Sequence, residues 1–282
     1  MVPQLKHITA FLALLLTPVL GYGQTGTVHQ LTVSPDGPIP SLGAAVRQAP
    51  AGALIRVAPG HYRPDSTIVI DKPLTIEGTD YPIIDGQGQM EIIRVEADSV
   101  TIRGLELRDV GTSFVEDRAA IKIREVTGGL IEDNRVIDAF FGIYLAKSSG
   151  VRVRSNVLLA RSTRETTSGN GIHLWYCKEI SIKDNLVEGH RDGIYFEFVE
   201  DSEITGNESR SNLRYGLHFM FSDRCRYEDN LFRDNDAGVA VMYTENVEML
   251  NNQFVHNWGS ASYGMLLKDI TDSRIAGNTF VR

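Results

Sequence analysis

The sequence predicts an all-β fold, a right-handed parallel β-helix whose coils contain 22 to 29 residues. A Gly-apolar-x-apolar motif recurs along the chain, beginning at Gly142, Gly171, Gly193, Gly216, Gly238 and Gly264. An asparagine follows each glycine fourteen residues later, at Asn156, Asn185, Asn207, Asn230, Asn252 and Asn278. Because a unit this short cannot bury its own apolar face, it must stack on copies of itself.

Alternation within the motif separates core positions from surface positions. The residues one and three places after each glycine are apolar, as in Ile143 and Leu145, whereas those two and four places after it vary. Side chains alternate across a strand, so the apolar pair points inward and the variable pair points outward. Asparagine tolerates left-handed turn geometry, and its amide can hydrogen-bond to the same amide one coil away. A ladder of stacked asparagines is therefore expected at one corner.

The N-terminal residues 1–23 have the features of a secretory signal peptide. A positively charged start precedes the apolar run 8–16, which is too short to span a bilayer, and small residues follow it. Residues 24–60 are expected to form a cap and the first strands, with Ser41 capping a helix that runs through about Ala49. A cap is needed because an open coil end exposes unpaired strand edges.

The β-helix itself is expected over residues 61–282, and its first coils lack some of the characteristic residues of the repeat. Leu105 stands in the asparagine position of an early coil, and Ala120 stands in the glycine position of the next. Because the chain stops four residues after Asn278 without a capping segment, we expect a truncated piece of a longer protein. Early strands are predicted between Pro and Gly breakers at 53–57, 66–70 and 73–76.

The charge balance excludes some classes of partner. The chain carries 28 Lys and Arg against 36 Asp and Glu, a formal net charge of −8. An acidic surface without basic runs argues against nucleic acid and anionic membranes as partners. No segment after the signal approaches the ~20 apolar residues of a membrane helix, so we expect an exported, soluble protein without direct membrane insertion. A bacterial periplasm is the expected location.

The chain has two cysteines, Cys177 and Cys225, which lie two coils apart in the predicted register. Coils stack at about 4.8 Å, so the two Cα atoms should be ~9.5 Å or more apart, beyond the reach of a disulfide. Two free thiols are therefore expected. Cys225 falls in an inward column, whereas Cys177, near a turn, is left open as a core residue or a ligand.

The outward positions form a stripe whose middle is unusual for a solvated β-face. A solvated face should be mostly Thr, Ser, Lys and Glu, whereas this one offers imidazole, thioether, phenol and indole groups. The stripe therefore predicts a binding surface. The positions two after each glycine hold Lys122, Tyr144, His173, Tyr195, His218, Ala240 and Leu266, and those four after it hold Arg124, Ala146, Trp175, Glu197, Met220, Met242 and Lys268.

Binding of a soft metal ion is one interpretation of this stripe. His218 and Met220 share a face about 6.6 Å apart at Cα, and Met242 lies one coil from Met220, about 4.8 Å away. An imidazole and two thioethers suit Cu(I), held as transient cargo at a solvent-accessible position. His173 lies two coils from His218, ~9.5 Å away, and belongs either to a second position or to a transfer path. The alternative, which spacing alone favours, is an amphipathic patch for a partner protein.

Three long intervals between an asparagine and the next glycine lead into the stripe and are expected to form its rim. Every length change in the repeat falls on this edge, and coil stability depends on stacked neighbours more than on such loops. The insertions therefore indicate a docking surface. They are residues 109–119, 161–170 and 256–263.

Many β-helices of the pectin-lyase-like kind cleave polysaccharides, so an enzyme is an alternative. Glycosidic cleavage needs two facing carboxylates, and lyases need a base flanked by Arg, Lys or calcium-binding acids. The stripe contains one acid, Glu197, and no neighbouring coil supplies a partner in the same columns. The sequence therefore predicts that the protein is not an enzyme. A carbohydrate-binding or carbohydrate-cleaving β-helix stays as the alternative, with an adhesin or passive scaffold as the third hypothesis.

Four strings within the repeat carry more information than the repeat alone. They are Gly169-Asn170-Gly171-Ile172-His173-Leu174-Trp175, Arg191-Asp192-Gly193-Ile194-Tyr195-Phe196-Glu197, Arg214-Tyr215-Gly216-Leu217-His218-Phe219-Met220-Phe221-Ser222 and Ala237-Gly238-Val239-Ala240-Val241-Met242-Tyr243. The His-Leu-Trp and Leu-His-Phe-Met strings are more specific than the generic repeat. These strings resemble one known family, NosD, the periplasmic β-helix proteins required for maturation of nitrous oxide reductase, and the resemblance extends from the cap onward.

The resemblance implies an accessory protein docked on an ABC transporter, with a membrane subunit and an ATPase subunit below it. It implies that copper arrives from a lipoprotein chaperone and is presented to nitrous oxide reductase. It also favours the copper interpretation of His218, Met220 and Met242 over the docking patch. Family members are longer than this chain, which agrees with the uncapped end.

Overall fold

The computed structural model describes residues 28–113, 115–259 and 264–282. The signal peptide predicted for residues 1–23 lies outside the described residues. In the described part of the chain, no helix is long and apolar enough to cross a membrane. These residues form thirty strands, one α-helix and one short 3-10 helix.

Three parallel sheets run along the molecule, and the chain visits them in turn as it coils. Over the described residues the first sheet contains eleven strands, in the spatial order β1 (Gln30–Val33), β2 (Ala53–Val57), β5 (Leu74–Gly78), β8 (Thr101–Arg103), β11 (Thr127–Glu132), β14 (Ser149–Arg154), β17 (Ser181–Lys183), β20 (Glu203–Thr205), β23 (Arg226–Glu228), β26 (Glu248–Leu250) and β29 (Arg274–Ala276).

The second and third sheets complete each coil. Within the described ranges the second sheet contains nine strands, β4 (Ile68–Ile70), β7 (Ile93–Val95), β10 (Ala119–Arg124), β13 (Phe141–Ala146), β16 (Ile172–Trp175), β19 (Ile194–Glu197), β22 (Tyr215–Met220), β25 (Ala237–Glu245) and β28 (Met265–Thr271). The third sheet contains ten there, β3 (His61–Tyr62), β6 (Ile83–Asp85), β9 (Glu106–Arg108), β12 (Arg135–Ile137), β15 (Val157–Leu159), β18 (Leu186–Glu188), β21 (Glu208–Arg210), β24 (Leu231–Arg233), β27 (Gln253–Val255) and β30 (Thr279–Val281).

Neighbouring strands in these sheets are parallel, and equivalent residues of successive coils are paired. Ile143 pairs with Ile172, and Leu145 pairs with Leu174. All four side chains are fully buried in one core that follows the solenoid. The first and third positions after these glycines therefore point inward, as predicted, and the parallel β-helix is confirmed.

Helix α1 (Leu42–Gln48) covers the N-terminal end of the solenoid. The hydroxyl of Ser41 accepts a hydrogen bond from the N–H of Ala44 at 3.3 Å, which is the N-cap geometry expected from the sequence. The helix packs against the early strands β1, β2 and β4. Its buried side chains, which join the main core, are Leu42, Ala45 and Val46.

The early coils follow the predicted pattern closely. The strands predicted at 53–57 and 73–76 are present as β2 and β5, whereas the one predicted at 66–70 is shorter and begins at Ile68. Leu105 occupies an asparagine position, because its N–H donates to Oδ1 of Asn134 at 3.1 Å. The ladder that begins at Asn134 is therefore joined to a coil that has no asparagine of its own.

Asparagine side chains form a continuous hydrogen-bonded ladder at the corner between the first and third sheets. The backbone N–H of each residue from Asn134 to Asn252 donates to the same Oδ1 that accepts from its side chain. Because most of these groups are buried, each lost partner would cost about 1–3 kcal/mol, and the ladder fixes the register of the coils. Each Nδ2 donates to Oδ1 one coil further on at 2.9–3.0 Å, through Asn134, Asn156, Asn185, Asn207, Asn230, Asn252 and Asn278.

Glycine begins the second-sheet segment of each coil because stacked backbones approach closely there. A β-carbon on Gly142 would lie 2.5 Å from the carbonyl oxygen of Gly171. A β-carbon on Gly216 would lie 2.7 Å from the carbonyl oxygen of Gly238. Real β-carbons do not approach oxygen so closely, so the glycine column is required by the stacking distance.

A second asparagine ladder, which the sequence analysis missed, lies five residues after the first. Asn212 donates through Nδ2 to Oδ1 of Asn235 at 2.9 Å, and Asn235 donates to Asn257 at 3.0 Å. His190 occupies the same position one coil earlier, where its backbone N–H donates to Oδ1 of Asn212. Its two ring nitrogens are buried without a hydrogen-bond partner, and burial lowers the pKa of the imidazole to about 4.

We expect His190→Asn to reduce the loss of stability in acid. The folded protein keeps the imidazole neutral down to about pH 4, whereas the unfolded chain binds a proton near pH 6.5. Stability is therefore complete above about pH 6.5 and falls by up to ~1.4 kcal/mol per pH unit as the pH drops towards 4. The substitution removes this contribution and lets a side-chain amide extend the second ladder.

Chemical denaturation between pH 8 and pH 4 measures the effect. The exposed His29→Asn serves as the matched control and should keep the slope of the parent protein. Parallel pH profiles for His190→Asn and the parent would show that His190 contributes nothing to the acid sensitivity.

Candidate metal centre

The register of the second sheet aligns the two outward columns of the stripe as the sequence predicted. In the first column Tyr144 pairs with His173, His173 with Tyr195 and Tyr195 with His218. In the second column Glu197 pairs with Met220. The candidate ligands therefore lie on one face of the second sheet, with His173 on β16, His218 and Met220 on β22 and Met242 on β25.

Met220 and Met242 are direct partners in the parallel pairing of β22 and β25. His218 lies two residues before Met220 on the same face, opposite Ala240. Both thioethers are half-buried. The hydroxyl of Tyr195 lies 3.9 Å from Sδ of Met220 and donates towards it. The backbone register thus places two thioethers and one imidazole at neighbouring positions on one face of the sheet.

His218 is less accessible than its outward position suggests. Its ring packs edge-on against Tyr195 with centroids 4.9 Å apart and at a tilt against Tyr215 at 4.7 Å, and the residue is only 7% exposed. Neither ring nitrogen has a hydrogen-bond partner. The solvent-accessible position expected from the sequence is therefore wrong for the imidazole, because the tyrosines cover it. A buried imidazole without hydrogen bonds keeps a lone pair available for a ligand.

Asp192 and Arg214 form a charged pair next to His218 that the sequence analysis did not identify. Asp192 is fully buried and accepts hydrogen bonds from Nε and Nη2 of Arg214 at 3.0 and 2.6 Å. Its Oδ2 lies 3.6 Å from Nδ1 of His218, within ion-pair range but long for a hydrogen bond. Burial alone would raise the pKa of Asp192, but His218 and Arg214 bring it below its ordinary value. A stable carboxylate thus lies beside Nδ1.

His173 occupies a separate position from the other three candidate ligands. Its ring is stacked between Tyr144 at 4.6 Å and Tyr195 at 4.7 Å. Its Nδ1 lies 2.9 Å from Nδ2 of Asn170, and burial together with Arg191 lowers the pKa of the imidazole to about 3. The ring of Tyr195 separates His173 from His218, so the two imidazoles do not converge on one point.

Two of the three predicted rim segments touch the stripe. The carbonyl oxygen of Asp117 accepts a hydrogen bond from Nζ of Lys122 at 2.9 Å. In the segment 161–170, the side chain of Asn170 contacts His173, and Glu165 lies 4.0 Å from Arg214. This segment contains the 3-10 helix Glu165–Thr167.

The third rim segment, 256–263, ends outside the described residues. Its described part includes Trp258, which is 57% exposed. The rim is thus described completely at 161–170 and only in part elsewhere, since residue 114 is also outside the described ranges.

Both cysteines are free thiols, as expected. Cys225 is buried in the core, and Cys177 is buried as well. Burial raises the pKa of the Cys177 thiol to about 11 and that of Cys225 to about 12. Cys177, left open by the sequence as a core residue or a ligand, packs in the hydrophobic core.

Among residues 28–113, 115–259 and 264–282, no three His, Cys, Asp or Glu side chains converge as a metal site. Two thioethers and an imidazole are a kind of donor set that suits a soft monovalent ion better than zinc, calcium or magnesium.

The second half of the chain matches a known family. Residues 159–282 match the family model described as NosD, periplasmic copper-binding protein. A relative from Pseudomonas aeruginosa, named "probable ABC transporter binding protein NosD", is 33% identical over 139 residues. Residues 159–282 are of the NosD type. The family resemblance in the sequence is thereby confirmed, although the family match begins at residue 159 rather than at the cap.

The chain spans about a third of the length of these relatives. The alignment with the Pseudomonas aeruginosa protein covers 49% of this chain and 32% of that protein. A protein of the same name from Stutzerimonas stutzeri is 28% identical over 140 residues, again 49% of this chain and 32% of that protein. The NosD-type region contains all four candidate ligands.

Solved structures show the same fold at low sequence identity. A family 28 exopolygalacturonase of Yersinia enterocolitica superposes with a TM-score of 0.67 at 10% identity, covering 91% of this chain and 66% of that one. PfbA, a surface adhesin of Streptococcus pneumoniae, gives 0.66 at 12% identity, covering 84% and 73%. The A-module of the mannuronan C-5 epimerase AlgE6 of Azotobacter vinelandii gives 0.57 at 16%, covering 84% and 80%. These likenesses establish the fold alone.

We expect Asp192→Asn to lower the free energy of unfolding by about 2 kcal/mol. Removing one partner of a fully buried pair costs about 3–5 kcal/mol, and the cost is smaller here because the Arg214 side chain is 29% exposed. Arg214→Met and the double variant complete a double-mutant cycle, measured by chemical denaturation. The double variant should be no less stable than Asp192→Asn alone.

The exposed pair of Arg224 and Asp201 provides the control for this cycle, and its coupling should be within ~1 kcal/mol of zero. Strictly additive losses for Asp192 and Arg214 would rule out the interaction that the contact geometry indicates.

Proposed function

We propose that this chain is part of a periplasmic accessory protein that delivers or guides copper for assembly of the copper centres of nitrous oxide reductase. The description of the matched family, periplasmic copper-binding protein, supports the cargo and the location. The names of the relatives, probable ABC transporter binding proteins, support an association with an ABC transporter. The resemblance in the sequence supports the reductase as the recipient.

The single observation that carries the proposal is the pairing of Met220 and Met242 beside His218. Two thioethers one coil apart and an imidazole with unbonded nitrogens form a three-donor set for a soft ion. Cu(I) prefers such ligands, whereas zinc competes poorly for thioethers. The half-buried thioethers leave the ion reachable by an incoming donor, so Cu(I) is held here as substrate and released.

Asp192 has a supporting role in this proposal. A metal-bound imidazole usually directs its other nitrogen to a carboxylate, which fixes the tautomer and the ring orientation. Asp192 lies 3.6 Å from Nδ1 of His218, so Nε2 is the nitrogen offered to copper. The ion pair with Arg214 holds the carboxylate in place.

His173 belongs to a second position or to a transfer path rather than to the main ligand set. Tyr195 stands between its ring and that of His218, with centroid distances of 4.7 and 4.9 Å. Trp175 lies on the same strand and is half-buried. A copper ion would therefore pass from one imidazole to the other around the edge of Tyr195.

The proposed partners follow from the resemblance: nitrous oxide reductase, a copper lipoprotein chaperone and the membrane and ATPase subunits of an ABC transporter. The rim segments frame the stripe, and we assign to them the capture of the chaperone or the reductase. The segment 161–170 is favoured because it touches both His173 and Arg214.

A carbohydrate-binding or carbohydrate-cleaving β-helix is the alternative function. Exopolygalacturonase and mannuronan epimerase share the fold with this chain at 10% and 16% identity. The stripe offers only Glu197 as an acid, and the residue paired with it on one side is Trp175 and on the other Met220. That arrangement supports a non-catalytic accessory role over a carboxylate-pair mechanism.

The variant Met220→Leu/Met242→Leu tests the ligand set. Leucine keeps the side-chain volume, so the fold should be intact by circular dichroism, while both sulfur donors are lost. We expect Cu(I) affinity to fall at least tenfold, about 1.4 kcal/mol, in an anaerobic competition titration against a chromophoric chelator.

Met90→Leu/Met265→Leu is the matched control, since these methionines lie outside the ligand set. It should bind Cu(I) like the parent protein. Equal Cu(I) affinity and equal reductase maturation for Met220→Leu/Met242→Leu and the parent would eliminate these ligands.

Trimming residues 162–168 to the short spacing found after Asn134 tests the rim. Because coil stability depends on stacked neighbours, the melting temperature should change little. Capture of the chaperone and the reductase in pull-downs should weaken, while intrinsic copper binding stays the same. A trimmed protein that captures both partners at parental affinity would show that this loop has no docking role.

A further inference from the structure

Four aromatic side chains on successive coils form an exposed ladder next to the candidate metal centre. We term it the aromatic corner: Tyr176, Phe198, Phe221 and Tyr243. The ring centroids are 4.5, 5.1 and 5.1 Å apart along the series, and the ring planes differ by only 9–17°. Tyr176, Phe221 and Tyr243 are 51%, 39% and 37% exposed. An aromatic strip of this length on a surface usually marks an interaction site.

The backbone at the aromatic corner is strained. All four residues have φ between +49° and +56°. Residues other than Gly, Asn and Asp lose roughly 1–2 kcal/mol in this left-handed conformation. At the corner beside the first asparagine ladder, the same conformation is adopted by Asp133, Asp184, Asp229 and Asn251, which suit it. Stacking offsets part of the cost, about 0.5–1.5 kcal/mol per ring pair, but Asn or Asp would have avoided the cost altogether.

The chemistry on the two sides of the corner differs. One side continues into the methionine column, since Met220 and Met242 directly precede Phe221 and Tyr243 in the chain. The other side is an acidic border, formed by the positions two and three after each ring. Five acids and two bases there leave a net charge of 2 − 5 = −3, from Lys178, Glu179, Glu200, Asp201, Asp223, Arg224, Glu245 and Asn246.

The geometry excludes two common occupants. Sugars stack on the faces of aromatic rings, but here the faces of neighbouring rings cover one another and mainly the edges are exposed. An added β-strand needs free backbone groups, but the N–H groups of Tyr176, Phe198 and Phe221 all donate to carbonyls of the next coil. The occupant must therefore be recognised through its side chains.

The length of the aromatic strip and the charge of its acidic border indicate what kind of partner segment binds there. The strip spans three coil steps, ~14 Å, which is the length of a helix of about ten residues. We propose that the aromatic corner docks a basic amphipathic helix of a partner protein, lying along the solenoid axis with its apolar face on the rings and its Lys and Arg side chains over the acidic border. This inference does not rest on copper binding, and each can fail without the other.

A designed peptide tests the proposal. The probe is a fluorophore-labelled 14-residue peptide with Leu on one face and Lys on the other, titrated by fluorescence anisotropy against the whole chain. In the variant Phe198→Asn/Phe221→Asn, asparagine fits the left-handed backbone, so the fold is kept and no charge changes. We expect its affinity for the peptide to be at least tenfold lower than that of the parent protein.

Two comparisons make the outcome decisive. Tyr81→Asn removes another aromatic residue with left-handed backbone, φ +54°, at a different corner and should bind like the parent. Glu200→Gln/Glu245→Gln leaves the rings untouched and should also weaken binding. Parental affinity in Phe198→Asn/Phe221→Asn, or equal binding of the same peptide with Glu in place of Lys, would overturn the proposal.

Discussion

The hydrogen bond between stacked asparagine amides is the interaction on which the rest of the structure depends. It recurs from Asn134 to Asn278 at 2.9–3.0 Å and leaves almost no freedom in how one coil sits on the next. A slip of a single residue would turn every side chain to the opposite face of its strand. The ladder therefore decides which residues meet on the outer face, although none of its members is near that face.

The effect of this fixed register is seen in the side chains on the outer face of the second sheet. Met220 and Met242 belong to different coils but lie side by side because the register holds, and His218 joins them through strand alternation alone. The same register also keeps groups apart, since it inserts the ring of Tyr195 between His173 and His218. One repeated spacing thus places the two methionines side by side and keeps the two imidazoles apart.

Periodic features were predictable from the sequence, and features that depend on side-chain rotation were not. The constant spacing within the repeat was enough to predict the first asparagine ladder, the pairing of the two methionines and the free thiols. The cover over His218 depends on the rotamer of Tyr215, which no spacing encodes. Asp192 and Arg214 do not stand at equivalent positions of the repeat, because one lies one residue and the other two residues before its glycine. A comparison of equivalent positions therefore does not reveal their ion pair. The second ladder was missed because it spans only three coils and begins after His190.

The first ladder has a direction. From Asn134 to Asn252, each Nδ2 donates one hydrogen bond to the Oδ1 of the coil with the higher residue numbers, so the amide-to-amide bonds of the column all run in one direction. Hydrogen bonds in such a chain polarise one another, with a strengthening of roughly 10–30% per bond. An amide in the middle of the column is polarised from both sides, whereas those near either terminus are polarised from one. The first ladder is thus electrically polar along the solenoid axis, and the amides of Asn230 and Asn252, in the coils that carry Met220 and Met242, have ladder partners on both sides.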